Sequence, residues 1–312
     1  MKSFLFKILT FSILVIITLI FTVLFVPDNT VKSSLLGAYP FKHELLKKIK
    51  TKKIILLGGS NLSFGIDSRQ IEKALKKPVV NMGIHAGVGL EYMINDIIPY
   101  VKEGDTLIVV PEYEHFYTDN FYGEMELISV LFDIEADSKK LINREQWTHL
   151  FKYLPSYSAK KLKNYVSSFL KNKEEPISIY HKNSFNSYGD AYLHWSLPNQ
   201  SYLPSVINTG YETVNKDVIN HMIELKHDLK NKHATLLIFP PVIDETSFNH
   251  QESIIKQIND ALSSSNLSFV SNPINYRYSN HLFFNSYYHL NKTGVDKRTQ
   301  QLINDLLHLK IE

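Results

Sequence analysis

Cysteine is absent from all 312 residues. Disulfides, thiolate nucleophiles, cysteine-based zinc sites and cysteine-linked lipid anchors are therefore excluded. The lack suits an exported domain that needs no oxidative folding. An excess of one charge is missing too: 34 Lys and Arg face 31 Asp and Glu, a formal net charge of +3. Nucleic-acid binding through counterion release needs a concentrated basic face, which this balance does not supply. There is no internal repeat and no low-complexity tract. Neither a Gly-x-Gly-x-x-Gly nor a Gly-x-x-x-x-Gly-Lys signature occurs, which removes the usual nucleotide-binding loops. With 44% hydrophobic and 21% charged residues, the composition is that of a folded chain.

What is present begins with one long apolar run. Residues Ile8 to Val26 carry no charge, and only Ser and Thr interrupt them. At about 1.5 Å per residue, nineteen helical residues nearly cover a hydrocarbon core of about 30 Å. A cleaved signal would have a shorter apolar region ending in small residues. Here the run ends in Leu24, Phe25, Val26 and Pro27, so it reads as a single membrane anchor over residues 1–26. Lys2 and Lys7 precede it, which favours a cytoplasmic amino terminus. The expectation is a single-pass protein of the inner (plasma) membrane with its domain on the outer side.

Residues 27–52 read as a tether with a short basic helix, KHELLKKIK. From residue 53 the periodicity becomes α/β. Short apolar runs at 53–59, 78–83, 106–110, 234–242 and 267–272 read as buried parallel strands. Helical patterns at 68–77, 89–101, 216–230, 250–264 and 293–308 alternate with them. That alternation predicts an α/β domain over 53–312, with a central parallel sheet covered on both faces. Between about 113 and 205 the alternation breaks, and both tryptophans fall there. This segment reads as an inserted cap over the carboxyl ends of the strands.

Sites in such sheets lie beyond those carboxyl ends. Three polar turns fall there. Gly58-Gly59-Ser60-Asn61 follows the first strand and can expose the Ser60 hydroxyl beside free backbone N–H groups. Asn81 to Gly87 follows the second and offers an amide and backbone donors. Pro111-Glu112-Tyr113-Glu114-His115 follows the third and sets two carboxylates beside a histidine. Late in the chain, His289 stands just before the terminal helix. An early Ser and a late His are what a hydrolase dyad needs.

This ordered set resembles the SGNH (GDSL-like) hydrolase superfamily, and within it membrane-anchored members linked to exported polysaccharides. Gly59-Ser60-Asn61 is similar to the first motif, with Ser60 as nucleophile. Asn81 to Gly87 is similar to the second, whose glycine supplies an oxyanion N–H; Gly87 matches best and Gly83 competes. His289-Leu290-Asn291-x-x-Gly294 is similar to the end of the last motif, with His289 as base. The resemblance implies an SGNH/flavodoxin-like three-layer sandwich. It also implies oxyanion donation from the Ser60 and Gly87 N–H groups.

Two positions depart from that pattern. The third motif's oxyanion Asn is replaced by Glu112, which when ionised cannot donate. Asn61 or Asn81 would then supply the donor. The Asp three residues before the histidine is replaced by Ser286, with Asn285 one position earlier. An amide oxygen at Asn285 can orient the ring but not stabilise an imidazolium as a charge does. Asp190 in the insertion is a further possible carboxylate.

The functional expectation is a membrane-anchored, extracytoplasmic esterase or O-acyltransferase. It would act on a cell-surface glycan without metal or cofactor, with a membrane acyl-donor protein as a possible partner. The alternative is a non-catalytic SGNH-like component that binds glycan or assists polysaccharide export.

Overall fold

The computed structural model describes residues 1–170, 178–200 and 213–309. Four strands form one parallel sheet: β1 (Ile54–Gly58), β2 (Val79–Asn81), β3 (Thr106–Val110) and β4 (Thr235–Ile238), in the order β2-β1-β3-β4. The register pairs Ile54 with Val79 and Thr106, and Thr106 with Thr235. Side chains alternate across a strand. Ile55, Leu57, Val80, Leu107 and Val109 therefore join one core cluster with Leu90, Ile94, Met222 and Ile255. Ile54, Leu56, Val79, Ile108 and Val110 join the other with Ile71, Val295, Leu302 and Leu306. Both faces are thus covered by helices, which is why the strands read as unbroken apolar runs. Each fully buried Ile or Leu contributes about 2 kcal/mol.

The helices follow the expected positions with shifted ends. Ser68–Leu75 stops where Lys76 turns left-handed at φ 56°. Leu90–Ile97 gives way to a tighter turn at Ile98–Tyr100, which contains Pro99. Glu245–Ser264 starts five residues before the expected position, because Asp244 caps it through the Thr246 and Ser247 N–H groups. The expected fifth strand at 267–272 shrinks to a single parallel bridge, Ile238 to Phe269. Beyond it, Asn272 accepts from the Ile274 N–H, and Pro273 has no N–H to extend a ladder. A second small parallel pair, β5 (Ile243–Asp244) with β6 (Arg277–Tyr278), was not legible in the pattern.

The amino-terminal helix runs from Lys2 to Phe25 and is almost wholly exposed. It is long and apolar enough to cross a membrane. Thr10, Thr18 and Thr22 turn their hydroxyls back onto the carbonyls of Phe6, Leu14 and Thr18. Their polarity is therefore satisfied within the helix.

The sequence reads 27–52 as a tether, but this segment packs into the domain. Leu35, Leu36, Tyr39 and Leu46 are buried in the larger core cluster. The helix Tyr39–Lys48 buries two polar side chains as well. Lys42 Nζ donates to Asn81 O at 2.9 Å and Gly189 O at 2.6 Å. His43 lies between Asp96 and Glu135. A short basic pattern carries no sign of such distant partners.

The segment following β3 contributes helices Arg144–Phe151 and Leu154–Leu170. Leu127, Leu131, Leu150 and Tyr157 enter the main core cluster. The second of these helices packs along the amino-terminal helix. Part of the insertion, 171–177 and 201–205, lies outside the described residues.

Candidate functional site

The turn after β1 packs against the Glu112 side chain. Gly59 lies under the Glu112 carboxylate, and a β-carbon there would meet Glu112 Oε1 at 2.5 Å. A larger residue there would have to push the Glu112 carboxylate aside. Ser60 opens a one-turn helix, Ser60–Ser63. Its Oγ donates to Glu112 Oε1 at 3.2 Å, and the Asn61 N–H donates to the same oxygen at 3.0 Å. No hydrogen bond joins Ser60 to His289. Among the described residues the Ser60 N–H has no partner, so it can still serve an oxyanion.

The other expected oxyanion donors are engaged inside the protein. The Gly87 N–H donates to His85 Nδ1 at 3.1 Å, and the Gly83 N–H to Asn81 Oδ1 at 2.8 Å. Asn81 Nδ2 donates to Leu62 O at 3.0 Å and to Asp190 Oδ1 at 2.8 Å. Asn61 Nδ2 donates to Val110 O at 3.2 Å and lies 3.4 Å from Glu112 Oε1.

Glu112 is positioned by the turn after β3. Its N–H donates to His115 Nδ1 at 3.0 Å, and His115 Nε2 meets Ala86 O at 3.2 Å. His115 is therefore a neutral bridge between the second and third turns, and burial lowers its pKa. Glu114 faces away and accepts from the Tyr288 hydroxyl at 2.8 Å. Burial first, and the nearby Glu112 charge second, push its pKa up to about 7. The two adjacent carboxylates thus have separate surroundings, and only Glu112 touches Ser60.

His289 lies on a loop closed by the bridge Phe283 to Leu290. Its Nδ1 is 2.9 Å from Asn285 Oδ1, and Asn285 Nδ2 donates to the Tyr180 hydroxyl at 2.7 Å. The amide is thereby oriented with its oxygen toward the ring, which places the proton on Nδ1. Nε2 is left as the free lone pair. The ring stacks on Phe64 at 4.4 Å and 26°. Phe64 immediately follows the Ser60–Ser63 turn. Burial, with small contributions from His194 and His85, lowers the His289 pKa to about 3.

Asp190 is a latch rather than a partner of His289. It accepts from the Ser68 N–H and hydroxyl at 2.9 and 2.6 Å, from Asn81 at 2.8 Å and from Asn186 at 3.1 Å. Its oxygens are spent on tying the insertion to the sheet. His194, four residues on, donates toward Phe64 O at 3.2 Å.

Arg298 escaped the sequence reading. It reaches from the terminal helix, Lys292–His308, to Asn61 O and, at 3.0 Å, to Asn61 Oδ1. It thus ties the helix after His289 to the turn carrying Ser60. A signal existed: Arg298 falls at i+3 from Val295 and i−4 from Leu302, on the apolar stripe of that helix. A guanidinium on such a stripe needs a buried partner.

Among the described residues one cluster could offer ligands to a metal: His43, Asp96 and Glu135. The two carboxylates sit on opposite nitrogens of the ring, at 2.7 and 2.8 Å. That is the arrangement of an ion-paired imidazolium, since a metal would need the donors to converge on one side. Burial opposes the charge, but the hydrogen bonds that the ring donates to both acids outweigh it and push the His43 pKa up to about 9.

No protein-family model and no curated protein sequence matches the chain.

Proposed function

We propose that this chain is a membrane-anchored, extracytoplasmic serine esterase or O-acyltransferase of the SGNH type, acting on a cell-surface glycan. The single observation that carries the reading is the state of His289. Asn285 and Tyr180 fix its tautomer, and among the described residues its unprotonated Nε2, beside the Ser60 turn, has no partner. In the proposed reaction the Ser60 hydroxyl turns from Glu112 to His289. Its oxygen attacks the ester carbonyl carbon as Nε2 takes the proton, and the Ser60 N–H stabilises the oxyanion. The C–O bond to the leaving alcohol then breaks, and the alcohol takes the proton from Nε2. Water or a sugar hydroxyl releases the acyl group from Ser60 by the same steps in reverse. The amino-terminal helix anchors the domain, and a three-layer sandwich with the insertion as cap frames the site. A membrane acyl donor suits a transferase at that surface.

A second reading is favoured by a different observation. The Ser60 hydroxyl is held by a carboxylate, and an imidazole with its pKa near 3 is poorly matched to taking a proton at neutral pH. Both suit a glycan-binding or assembly component without turnover. Fluorophosphonate labelling separates the two. Catalysis requires a label on Ser60 in the wild type, lost in Ser60→Ala and slowed at least a hundredfold in His289→Ala. An unlabelled wild type with no turnover of a small aryl acetate overturns the enzyme reading.

A further inference from the structure

A cavity of about 400 Å³ opens between the amino-terminal helix and the insertion. Ile16, Ile20 and Leu24 form one wall, at i, i+4 and i+8 of that helix. Trp147, Phe151 and Leu154 form the other. No polar atom lines it. Phe151, on its rim, is 62% exposed.

The depth of this groove follows from the helix it uses. The uncharged run of nineteen residues is about as long as a hydrocarbon core is thick, so it has no length to spare outside a bilayer. Ile16 lies ten residues before Val26, about 15 Å along the axis. Counting the apolar residues before Lys7 as part of the span frees only about 5 Å. The residues facing Ile16 to Leu24 are therefore also at hydrocarbon depth. Their position is locked. Lys161, on the helix Leu154–Leu170, donates to Val23 O at 3.1 Å and pairs with Asp133 at 2.6 Å. Asn164 donates to Asp28 at 3.0 Å. Moving along this helix from Lys161 to Asn164 moves outward along the span from Val23 to Asp28. Its amino-terminal end, with Leu154 and the neighbouring Phe151, is thus the part that points into the bilayer.

We infer that the groove is a binding site for the acyl chain of a membrane lipid, in the leaflet on the side of the domain. The inference rests on reading the amino-terminal helix as a membrane span. An acyl chain is the occupant because the groove is continuous with the surface of that span and has no donor or acceptor to select anything polar. The insertion is then a second membrane-contacting element, and the domain sits against the surface rather than swinging on a stalk. A lipid-borne group would be held beside the protein by its tail.

The test uses the full chain with Trp195→Phe, which leaves Trp147 as the one tryptophan. The protein is reconstituted in phosphatidylcholine vesicles at less than one chain per vesicle, and flotation is scored first. Vesicles brominated on the acyl chains should quench Trp147 emission at least twofold relative to unbrominated ones, and aqueous iodide should leave it unchanged. Phe151→Asp should weaken the bromolipid quenching. A chain that fails to float overturns the span reading and the groove with it. A chain that floats but is quenched by iodide and not by bromolipid overturns the groove alone. Shielding of Trp147 that appears only when vesicles hold several chains assigns the groove to a second copy and overturns the lipid.

Discussion

Two histidines are buried to a similar degree, His43 at 5% and His289 at 7% exposure, yet at neutral pH the first is charged and the second is neutral. His43 has a carboxylate on each nitrogen and a pKa pushed up to about 9. His289 has an amide on one nitrogen, an aromatic face against its ring, and a pKa lowered to about 3. Burial penalises the imidazolium in both places. What separates them is whether a full negative charge stands within hydrogen-bond reach. The comparison shows what an amide at Asn285 does for the ring and what it cannot do. The ring is held in the right tautomer, but nothing compensates the charge it would acquire.

The largest expected effect is on stability. His43→Ala leaves the buried Asp96 and the half-buried Glu135 without a counter-charge, and should cost about 3 kcal/mol. His289→Ala removes one neutral hydrogen bond and a ring stack, and should cost about 1–2 kcal/mol. Thermal unfolding of the full chain in detergent compares them, and equal losses would break the contrast.

The next effect is the pH dependence. The folded pKa of His43 lies above the unfolded value of 6.5, so its contribution is complete below 6.5 and is lost as pH rises through 9. A shift of that size is worth about 3 kcal/mol, so a decline of about 3 kcal/mol is expected between pH 6.5 and 10. In His43→Gln that slope should largely vanish. No decline in the wild type would show that the acids do not hold an imidazolium.

Asn285→Asp tests the comparison from the other side by giving His289 a carboxylate. Its imidazole should titrate at least about one unit higher by NMR. Ester turnover, where present, should be kept or raised up to about tenfold. An unmoved pKa would show that the new carboxylate does not reach Nδ1. The smallest effect belongs to Tyr180→Phe. It removes the hydroxyl that orients the Asn285 amide, and should cost about 1 kcal/mol or less. The His289 pKa should then move by less than about half a unit. A larger shift would make Tyr180 a principal determinant of the histidine's charge.

Much of the fold was legible. The parallel strands announced themselves as short apolar runs because both faces of the sheet are buried, and Ser60 and the Asn81–Gly87 turn fell at strand ends for the same reason. The fifth strand was overread, since an apolar stretch beside Pro273 looks the same whether it forms a ladder or a single bridge. Residues 27–52 were underread, because charged letters such as Lys42 and His43 look solvated until their distant acceptors are known. The same ambiguity left open whether Asp190 serves the site or closes a loop, until its four donors from Ser68, Asn81 and Asn186 were known.

By itself, the sequence determined what depends on neighbours along the chain: an uncharged run of spanning length, the strand and helix periods, and the polar turns between them. Only the tertiary structure decided which polar group each turn would meet. Ser60 found Glu112, His289 found Asn285, and Arg298 closed on Asn61 across 237 positions. Side-chain periodicity is a local property, whereas the charge state of a buried group is set by whatever the fold brings within about 3 Å of it.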